Sequence, residues 1–397
     1  MQDKIGDIFS RFEQKNNQIS INQVQTDLKK YDILLYGAGS AGIAFLHYLR
    51  DNDIFPLHFI DGSPKKWGTV CEGLQVLSIA DAAARFTSTA LVIVTINTDG
   101  TRYCKSFDEA LRQGGHTGVH KSLHEAGFTN VIDYTFFRRC YALFQNDEYN
   151  LPSCSDIACM LANKQKITDT YNMLYDDESR DIFSKIVEFR MIDDSIVIPT
   201  LTQENQYFEY SIYNKIVGES FVDCGAFNGI TLKAFLQNNA QFKKYYAFEP
   251  DAVNFKLLKE YINTLPKELA DKIELSQKGT YDINGKKALY ALDGPGSFVS
   301  ELGKSIIDTV TIDDALDGRE CTFIKMNIEG SEAASLRGAT KTISTQNPSM
   351  AIAGYHKTWD LWEIPMFVSK LSNKYKIHLR SYMNHISFVY YFISDER

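Results

Sequence analysis

One short segment of the chain has the residue types and spacing of a nucleoside-binding loop. Residues 221–229 read Phe-Val-Asp-Cys-Gly-Ala-Phe-Asn-Gly, and a later apolar run ends at Glu249. Gly225 and Gly229 leave room for a ligand near the backbone, because a side chain at either position would fill that space. The carboxylate of Glu249 can accept two hydrogen bonds from ribose hydroxyl groups. The pattern predicts a nucleoside site at the carboxyl edge of a parallel sheet.

The glycine spacing of this loop indicates which nucleoside it takes. The loop lacks the full Gly-x-Gly-x-x-Gly pattern that cradles a pyrophosphate. It therefore suits a nucleoside cofactor without phosphates, and S-adenosylmethionine is the commonest of these. We expect Asp223 to help fix the methionine end, and Asn228 either to contact the cofactor or to cap the following helix. Further cofactor contacts are expected from Gly225, Ala226 and Gly229.

A second group of polar residues accompanies two later apolar runs, which we interpret as strands. The first run covers residues 323–326 and the second covers residues 350–355. In an open parallel sheet, ligands bind beyond the carboxyl ends of the strands. Polar residues at these strand ends should therefore lie near the nucleoside loop. The residues that we assign to catalysis are His356, Glu329, Asn327 and Lys325.

The order of these motifs resembles the FkbM-type methyltransferase family, which uses S-adenosylmethionine. The matching motifs are Phe-Val-Asp-Cys-Gly-Ala-Phe-Asn-Gly, Ala-Phe-Glu-Pro-Asp, Val-Thr-Ile-Asp-Asp, Ile-Lys-Met-Asn-Ile-Glu-Gly-Ser-Glu and an apolar strand that ends in His356. Upstream, Gln206 and Tyr207 lie in a segment similar to one common in this family, which implies that they contact the cofactor. The resemblance covers about residues 200–395 and implies a class I methyltransferase fold that methylates hydroxyl groups of sugars or related small molecules.

Two positions depart from the family pattern. Asn327 stands where the family usually has aspartate, and Gly354 stands where it usually has glutamate, two residues before the histidine. An asparagine can hydrogen-bond a substrate hydroxyl, but it cannot accept the hydroxyl proton at neutral pH. We therefore favour a mechanism without a metal. The alternative is a divalent ion, held in part by Glu329 and Asn327, that lowers the pKa of the substrate hydroxyl.

Transfer of a methyl group to a hydroxyl needs a base that removes the hydroxyl proton. His356 and Glu329 are the two candidates in this sequence. An unperturbed histidine has a pKa of about 6.5, so it can accept a proton at neutral pH. If His356 is the base, methyl transfer should increase with pH through that value.

A fuller glycine motif lies near the start of the chain. Residues 37–42 read Gly-Ala-Gly-Ser-Ala-Gly between a strand and a helix, and a second strand ends in an aspartate. This is the dinucleotide-binding unit, in which a pyrophosphate lies at the helix N-terminus and a ribose on the acid. Residues 59–76 resemble the small Rossmann-like domain that precedes sugar acyltransferases. A bound nucleotide or nucleotide-sugar and a scaffold without a ligand are both consistent with this loop, whose residues are Gly37, Gly39, Gly42 and Asp61.

Alternating strands and helices predict an α/β fold with two doubly wound Rossmann-like domains joined by a helical connector. The predicted segments are a helical lead-in at 1–30, a nucleotide-binding-type domain at 31–140, the connector at 141–200 and the methyltransferase domain at 201–397. The connector should contain helices near 156–174 and 176–189. Strands are expected at 33–36, 57–60 and 90–95, and then at 219–223, 245–249, 272–276, 322–327, 349–353 and 386–393.

The composition excludes several classes of function. The 397 residues carry a net charge of −8, so nucleic acid is not expected as a partner. No apolar run approaches the roughly 18 residues that span a membrane, and the polar first 15 residues do not resemble a signal peptide. Seven cysteines without a Cys-x-x-Cys pair indicate neither a disulfide framework nor a zinc site, which favours the cytoplasm.

The sequence thus predicts an S-adenosylmethionine-dependent O-methyltransferase. Its expected acceptor is a hydroxyl of a sugar, nucleotide-sugar or related small molecule, in surface polysaccharide or glycan biosynthesis. One alternative is a nucleotide-sugar-binding or scaffold protein whose methyltransferase domain is not catalytic. Another is an NAD-dependent oxidoreductase, which depends on the first glycine loop alone. The sequence does not decide between a monomer and a homo-oligomer.

Overall fold

The chain divides into two units in the computed structural model. Unit 1 comprises Met1–Lys164 with Val187–Ile196, and unit 2 comprises Gln165–Ile186 with Val197–Arg397. The structure describes residues 3–15, 21–96, 107–113, 118–134, 136, 157–192, 196–202, 206–209, 211–213, 217–239, 241–290, 298–299, 305–383 and 387–394. The predicted connector is therefore shared between the units, except for its parts at 141–156 and 193–195, which lie outside the described residues.

Unit 1 contains a mainly parallel sheet of six strands. These are β1 (Asp32–Tyr36), β2 (His58–Ile60), β3 (Val70–Cys71), β4 (Leu74–Leu77), β5 (Ala90–Val94) and β6 (Asn130–Asp133). Their order is β3-β4-β2-β1-β5-β6, and only the short β3 is antiparallel to its neighbour. The order reverses between β1 and β5, which is where open parallel sheets bind ligands. The three strands predicted in this region are confirmed to within one residue at each end.

The helices of unit 1 bury apolar faces, as their sequence pattern predicts. In the lead-in, Ile5, Ile8, Phe9 and Phe12 are all buried and lie along one face of the first helix. Because the interior strands of a parallel sheet are covered on both faces, β5 is buried along its whole length and reads as a continuous apolar run. The helices within unit 1 are Lys4–Lys15, Ile21–Leu28, Ser40–Asp51, Ile79–Phe86, Phe107–Gln113, Gly118–Glu125 and Ile157–Ala162, with a 3-10 helix at Pro64–Lys66.

Unit 2 is built on a sheet of seven strands. These are β7 (Ser220–Cys224), β8 (Lys244–Phe248), β9 (Ile273–Ser276), β14 (Phe323–Met326), β15 (Ser349–Ala353), β16 (Tyr375–Met383) and β17 (Ser387–Ser394). Their order is β16-β17-β15-β14-β7-β8-β9, and β17 is antiparallel to both of its neighbours. The six predicted strands are confirmed to within one residue, whereas β16 was not predicted.

A second, smaller sheet of unit 2 has no counterpart in the sequence prediction. It consists of β10 (Gly279–Thr280), β11 (Gly285–Tyr290), β12 (Phe298–Val299) and β13 (Ser305–Val310), in the order β10-β13-β11-β12. Only half of the residues of β13 are buried. Its hydrophobic signal is therefore much weaker than that of the strands in the main sheet.

The helices after residue 163 include those of the predicted connector. They are Lys164–Met173, Asp177–Met191, Ile230–Asn238, Ala252–Asn263, Lys267–Ala270, Ile312–Leu316, Glu332–Arg337, Thr340–Gln346 and Asp360–Leu371. The helix predicted at 156–174 is two helices, and the one predicted at 176–189 is confirmed. Asp176 caps the latter by accepting from the N–H of Ser179 at 2.7 Å, and it also forms an ion pair with Arg380 on β16. No helix in the described ranges is long and apolar enough to cross a membrane.

Candidate functional site

The loop after β7 is held by contacts within the chain. The N–H groups of Gly225 and Ala226 both donate to the carbonyl oxygen of Phe248 at 3.0 Å. Gly225 has φ +81°, and a Cβ there would lie 2.2 Å from the carbonyl oxygen of Asn327. Gly229 has φ +92°, and a Cβ at this position would lie 2.9 Å from the ring of Tyr261. Packing within the chain thus accounts for both glycines, and cofactor binding by the loop stays a prediction.

Asn228 is exposed at the tip of this loop. Of its two expected roles, helix capping is wrong. The N-cap of helix Ile230–Asn238 is Gly229 and not Asn228, and the helix has no side-chain cap hydrogen bond. The Asn228 side chain therefore remains available for a ligand.

Glu249 joins the end of β8 to the glycine loop. Its Oε2 accepts from the N–H of Phe227 at 2.8 Å, and its Oε1 accepts from the N–H of Asp251 at 3.0 Å. The residue is only 6% exposed. Burial raises the pKa of its carboxyl to about 7, although the two backbone hydrogen bonds act in the opposite direction. The predicted ribose acceptor is thus half ionised near neutral pH.

Asp223 and Lys325 form an ion pair beneath the loop. Their side chains are 0% and 2% exposed, and Oδ1 of Asp223 lies 2.9 Å from Nζ of Lys325. Tyr245 donates to the second carboxylate oxygen at 2.6 Å, while Lys325 donates to the carbonyl oxygen of Gly225 at 2.7 Å. In this arrangement, both residues fix the loop from below. The predicted contact of Asp223 with a cofactor, and the assignment of Lys325 to catalysis, stay predictions.

The segment around Gln206 and Tyr207 is attached to the same sheet. Gln206 donates to the hydroxyl of Ser387 at 3.0 Å, and the N–H of Tyr207 donates to the hydroxyl of Tyr391 at 3.0 Å. The ring of Tyr207 lies over Nζ of Lys325, which is 5.2 Å from the ring centroid. The structure thus places this segment beside the loop, and its contact with the cofactor stays a prediction.

Asn327 lies at the end of β14 next to the hydroxyl of Tyr355. Tyr355 donates to Oδ1 of Asn327 at 3.2 Å. Burial and the nearby carboxylates raise the pKa of Tyr355, so its hydroxyl keeps its proton at neutral pH. A neutral amide and a neutral phenol together can orient a substrate hydroxyl, but neither can remove its proton.

His356 lies between two carboxylates. Its Nδ1 is 2.9 Å from Oε1 of Glu332, and its Nε2 is 3.5 Å from Oε2 of Glu329. Burial lowers the pKa of His356, but the negative charges of Glu332 and Glu329 outweigh this effect and raise the pKa to about 9. The expected value of about 6.5 is therefore wrong, because it ignored these two neighbours. The role of His356 as the base stays a prediction.

Three residues of this region were not assigned a role from the sequence. Glu332 is fully buried and accepts from the N–H groups of Ile328 and Gly330. Asp360 is also fully buried, and Tyr355 bonds to Asn327 as described above. Glu332 is the last residue of the Ile-Lys-Met-Asn-Ile-Glu-Gly-Ser-Glu motif, so the sequence places it at this edge of the sheet, although it assigns no role to it. Asp360 follows His356 by only four residues, but its proximity to Glu332 depends on the fold and is not visible in the sequence.

Each glycine of the loop in unit 1 has a different structural role. Gly37 has φ +111°, which the tight turn after β1 requires, and a Cβ on Gly42 would lie 1.9 Å from the carbonyl oxygen of Gly37. A Cβ on Gly39 would meet nothing within 4 Å. The turn, the open approach and the close packing are the three tasks of a dinucleotide-binding loop.

Asp61 already has donors within unit 1. Its carboxylate accepts from the N–H groups of Ala38 at 2.9 Å and Ser63 at 2.8 Å, and it forms an ion pair with Lys66 at 3.0 Å. These donors together lower the pKa of Asp61 despite its burial. The carboxylate is therefore ionised, and its contact with a ribose stays a prediction.

Comparisons with known proteins agree with the motif order. A family model described as the methyltransferase FkbM domain matches residues 223–390. No curated protein matches the chain. The crystal structure of the methyltransferase FkbM from Methylobacillus flagellatus KT is similar over 98% of this chain and 99% of that chain, with 18% identity and a TM-score of 0.68. This likeness shows the fold, and the predicted α/β fold class is confirmed.

Other similar structures cover less than half of this chain. An rRNA methylase from Streptococcus thermophilus covers 45% of this chain and 87% of its own, with 17% identity and a TM-score of 0.30. The crystal structure of fibrillarin from Aeropyrum pernix with bound S-adenosyl-L-methionine is similar over 44% of this chain and 66% of the fibrillarin chain, with 6% identity and a TM-score of 0.29. Similarity at this level says nothing about the substrate of this chain.

Proposed function

Since residues 223–390 form a methyltransferase domain of the FkbM family, we propose that this protein is an S-adenosylmethionine-dependent O-methyltransferase. The proposed acceptor is a hydroxyl group of a sugar, nucleotide-sugar or related small molecule. The observation that carries the proposal is the connection between Glu249 and the glycine loop, through the hydrogen bond from the N–H of Phe227. This contact keeps the ribose acceptor and the loop in register, so that one nucleoside can contact both.

Cofactor binding in this proposal depends on the ionised form of Glu249. The two ribose hydroxyls donate to its carboxylate, and a charged acceptor of this kind contributes roughly 1.5–3 kcal/mol. The exposed Asn228 contributes from the loop tip. Asp223 and Lys325 act from beneath by holding the carbonyl oxygen of Gly225 in place.

The chemical step is an in-line displacement at the methyl carbon of the sulfonium. The acceptor oxygen forms a bond to the methyl carbon while the carbon–sulfur bond breaks, and the sulfonium becomes a neutral thioether. Alignment of the two reactants supplies much of the rate enhancement. Asn327 and the hydroxyl of Tyr355 orient the acceptor, because both can hydrogen-bond a hydroxyl group and they already lie in contact.

The proton of the acceptor goes to Glu329 in this scheme. Glu329 is 32% exposed, whereas the imidazole of His356 is only 9% exposed and lies behind it. Glu329 also has φ +53°, an unusual backbone conformation of the kind that is common at functional sites. His356 then acts on Glu329 as a positioning residue, at 3.5 Å.

Calorimetric titration of the whole chain tests the cofactor. S-adenosylhomocysteine should bind, and Glu249→Ala should weaken binding by roughly 10- to 100-fold, as expected from the loss of a charged acceptor. The matched control is Glu260→Gln, because Glu260 is an exposed glutamate on the adjacent helix with only a 3.9 Å contact to Lys256. Absence of binding at millimolar ligand would exclude the cofactor, and equal affinity in Glu249→Ala would remove this residue from the site.

The acceptor needs a separate screen. Transfer of a labelled methyl group to a panel of sugars, nucleotide-sugars and other hydroxylated small molecules identifies its class. Glu329→Gln should then abolish transfer without changing the affinity for S-adenosylhomocysteine. Transfer to an amine or a thiol instead of a hydroxyl would refute the O-methyl assignment.

A second candidate function belongs to unit 1. The open approach at Gly39, together with the ionised Asp61, favours a nucleotide or nucleotide-sugar at this loop. Titration with NAD and with nucleotide-sugars separates this function from methyl transfer. Binding of a nucleotide-sugar without any methyl transfer would favour the scaffold alternative, and reversible reduction of NAD would favour an oxidoreductase.

The cellular setting is part of the same proposal. A role in surface polysaccharide or glycan synthesis is supported by the resemblance of residues 59–76 to domains that precede sugar acyltransferases. A cytoplasmic location is supported by cysteines without the spacing of a disulfide framework. Size-exclusion chromatography with light scattering tests whether the protein forms a homo-oligomer.

A further inference from the structure

Behind the candidate active site lies a cluster of three potential metal ligands. Glu332 begins the helix after β14, His356 follows β15, and Asp360 begins the next helix. Each can offer one ligand atom, and these atoms all lie within 4.8 Å of one another. Glu332 and Asp360 are fully buried, and the imidazole is 91% buried.

Several polar atoms of this cluster have no hydrogen bond within the part of the chain that the structure describes. They are Nδ1 and Nε2 of His356 and Oδ1 of Asp360. Nδ1 lies 2.9 Å from Oε1 of Glu332, which is within ion-pair distance, but this contact does not meet the geometric criteria of a hydrogen bond. Buried polar atoms are rarely left in this state, because each costs about 1–3 kcal/mol. A separation of about 3 Å between two ligand atoms is instead the one expected for neighbouring ligands of one metal ion with bonds of about 2.1 Å.

The charges of these side chains also favour a bound metal ion. Both oxygens of Glu332 are oriented by the backbone, through the N–H groups of Ile328 and Gly330, and one oxygen of Asp360 accepts from the N–H of Lys357. Glu329 adds a third carboxylate at 3.5 Å from the imidazole. Three carboxylates thus surround one imidazole in a largely buried space, and an uncompensated buried charge is costly. A divalent cation would neutralise this excess.

We propose that Glu332, His356 and Asp360 bind a divalent transition-metal ion. One imidazole nitrogen with two carboxylate oxygens suits Zn²⁺ or Mn²⁺ better than Mg²⁺, which prefers oxygen ligands alone and keeps several waters. The burial of all three residues indicates a structural ion that ties the ends of β14 and β15 to the helix Asp360–Leu371. This site differs from a catalytic metal on Glu329 and Asn327, and it does not depend on methyl transfer.

Metal analysis of the purified wild-type chain gives the first test. After growth with Zn²⁺ and Mn²⁺ and dialysis without chelator, elemental analysis should find about one equivalent of metal. Removal of the metal with EDTA should lower the melting temperature, and addition of Zn²⁺ or Mn²⁺, but not Mg²⁺, should restore it by mass action. Absence of bound metal together with an unchanged melting temperature would overturn the proposal and leave a protonated His356 as the neutralising cation.

Two variants locate the site. Asp360→Asn should lose most of the bound metal and the metal-dependent shift in melting temperature. Glu363→Gln is the matched control, because Glu363 lies on the same helix but forms only an exposed ion pair with Lys166. Full metal content in Asp360→Asn would overturn the assignment to these residues. If Asp360→Asn does not fold, the wild-type chelation experiment still decides whether a metal is bound.

Discussion

At the scale of single residues, the burial of Glu249 opposes its proposed role as a ribose acceptor. As the proposed ribose acceptor it must be ionised, yet burial raises its pKa from the ordinary 4.5 to about 7. Because the folded state holds this proton more tightly than the unfolded state, ionisation lowers the stability of the ligand-free protein as the pH increases from 4.5 to about 7. A ribose that hydrogen-bonds the carboxylate recovers part of this cost.

Cofactor affinity should therefore depend on pH through Glu249. If only the ionised carboxyl binds, a pKa of about 7 makes the affinity for S-adenosylhomocysteine increase about tenfold between about pH 6 and about pH 8. Titration calorimetry at several pH values measures this change, and buffers with different ionisation enthalpies report the proton released on binding. Glu249→Gln should give a flat profile. A profile that stays steep in this variant would assign the pH dependence to another group.

At the scale of elements, the loop after β7 depends on β14 more than its local sequence indicates. Gly225 faces the carbonyl oxygen of Asn327, which is 102 residues away in the chain, and Lys325 bonds to the carbonyl oxygen of Gly225. The loop and the end of β14 are thus packed tightly against each other. A side chain at Gly225 would disturb the loop even if it touched no ligand.

Gly225→Ala should destabilise the protein by at least about 2 kcal/mol, because it combines a positive φ with a steric clash. Urea unfolding monitored by circular dichroism measures the change in the free energy of unfolding. Gly285→Ala is the matched control, since a Cβ at this strand position meets nothing within 4 Å and should change the stability by less than about 0.5 kcal/mol. Equal stability of the two variants would contradict the packing argument.

At the scale of the whole molecule, the chain carries two glycine loops on two separate sheets. The first follows β1 in unit 1, and the second follows β7 in unit 2. Each sheet has its own buried core cluster. Ligand binding at one loop should therefore be separable from binding at the other.

Gly39→Val should abolish binding of any nucleotide in unit 1 and leave the affinity for S-adenosylhomocysteine unchanged. Gly39 is suited to this experiment because a Cβ there meets nothing within 4 Å, so the fold should tolerate the change. Parallel titrations with a nucleotide-sugar and with S-adenosylhomocysteine measure the two affinities. If the variant stays folded but no longer binds S-adenosylhomocysteine, the assignment of the cofactor to unit 2 is wrong.

The sequence by itself was sufficient to predict most strands of the main sheets, the fold class and the resemblance of residues 223–390 to the FkbM methyltransferase domain. Strands such as β5 and β15 are buried along their whole length, so their composition marks them without reference to any other part of the chain. The glycine motifs and the acids that follow them are also local patterns. The order of such patterns is sufficient to identify the methyltransferase domain.

Only the tertiary structure decided the environment of each site residue. The ion pair between Asp223 and Lys325 joins two neighbouring strands that are far apart in the chain. The pKa of His356 depends on Glu329 and Glu332, which are more than 20 residues away, and no local pattern predicts the approach of Asp360 to Glu332. Hydrophobic periodicity is encoded within a few neighbouring residues, whereas electrostatic environment and close packing depend on contacts between distant segments. For this reason the sequence identified the motifs, and the fold determined which of their side chains meet.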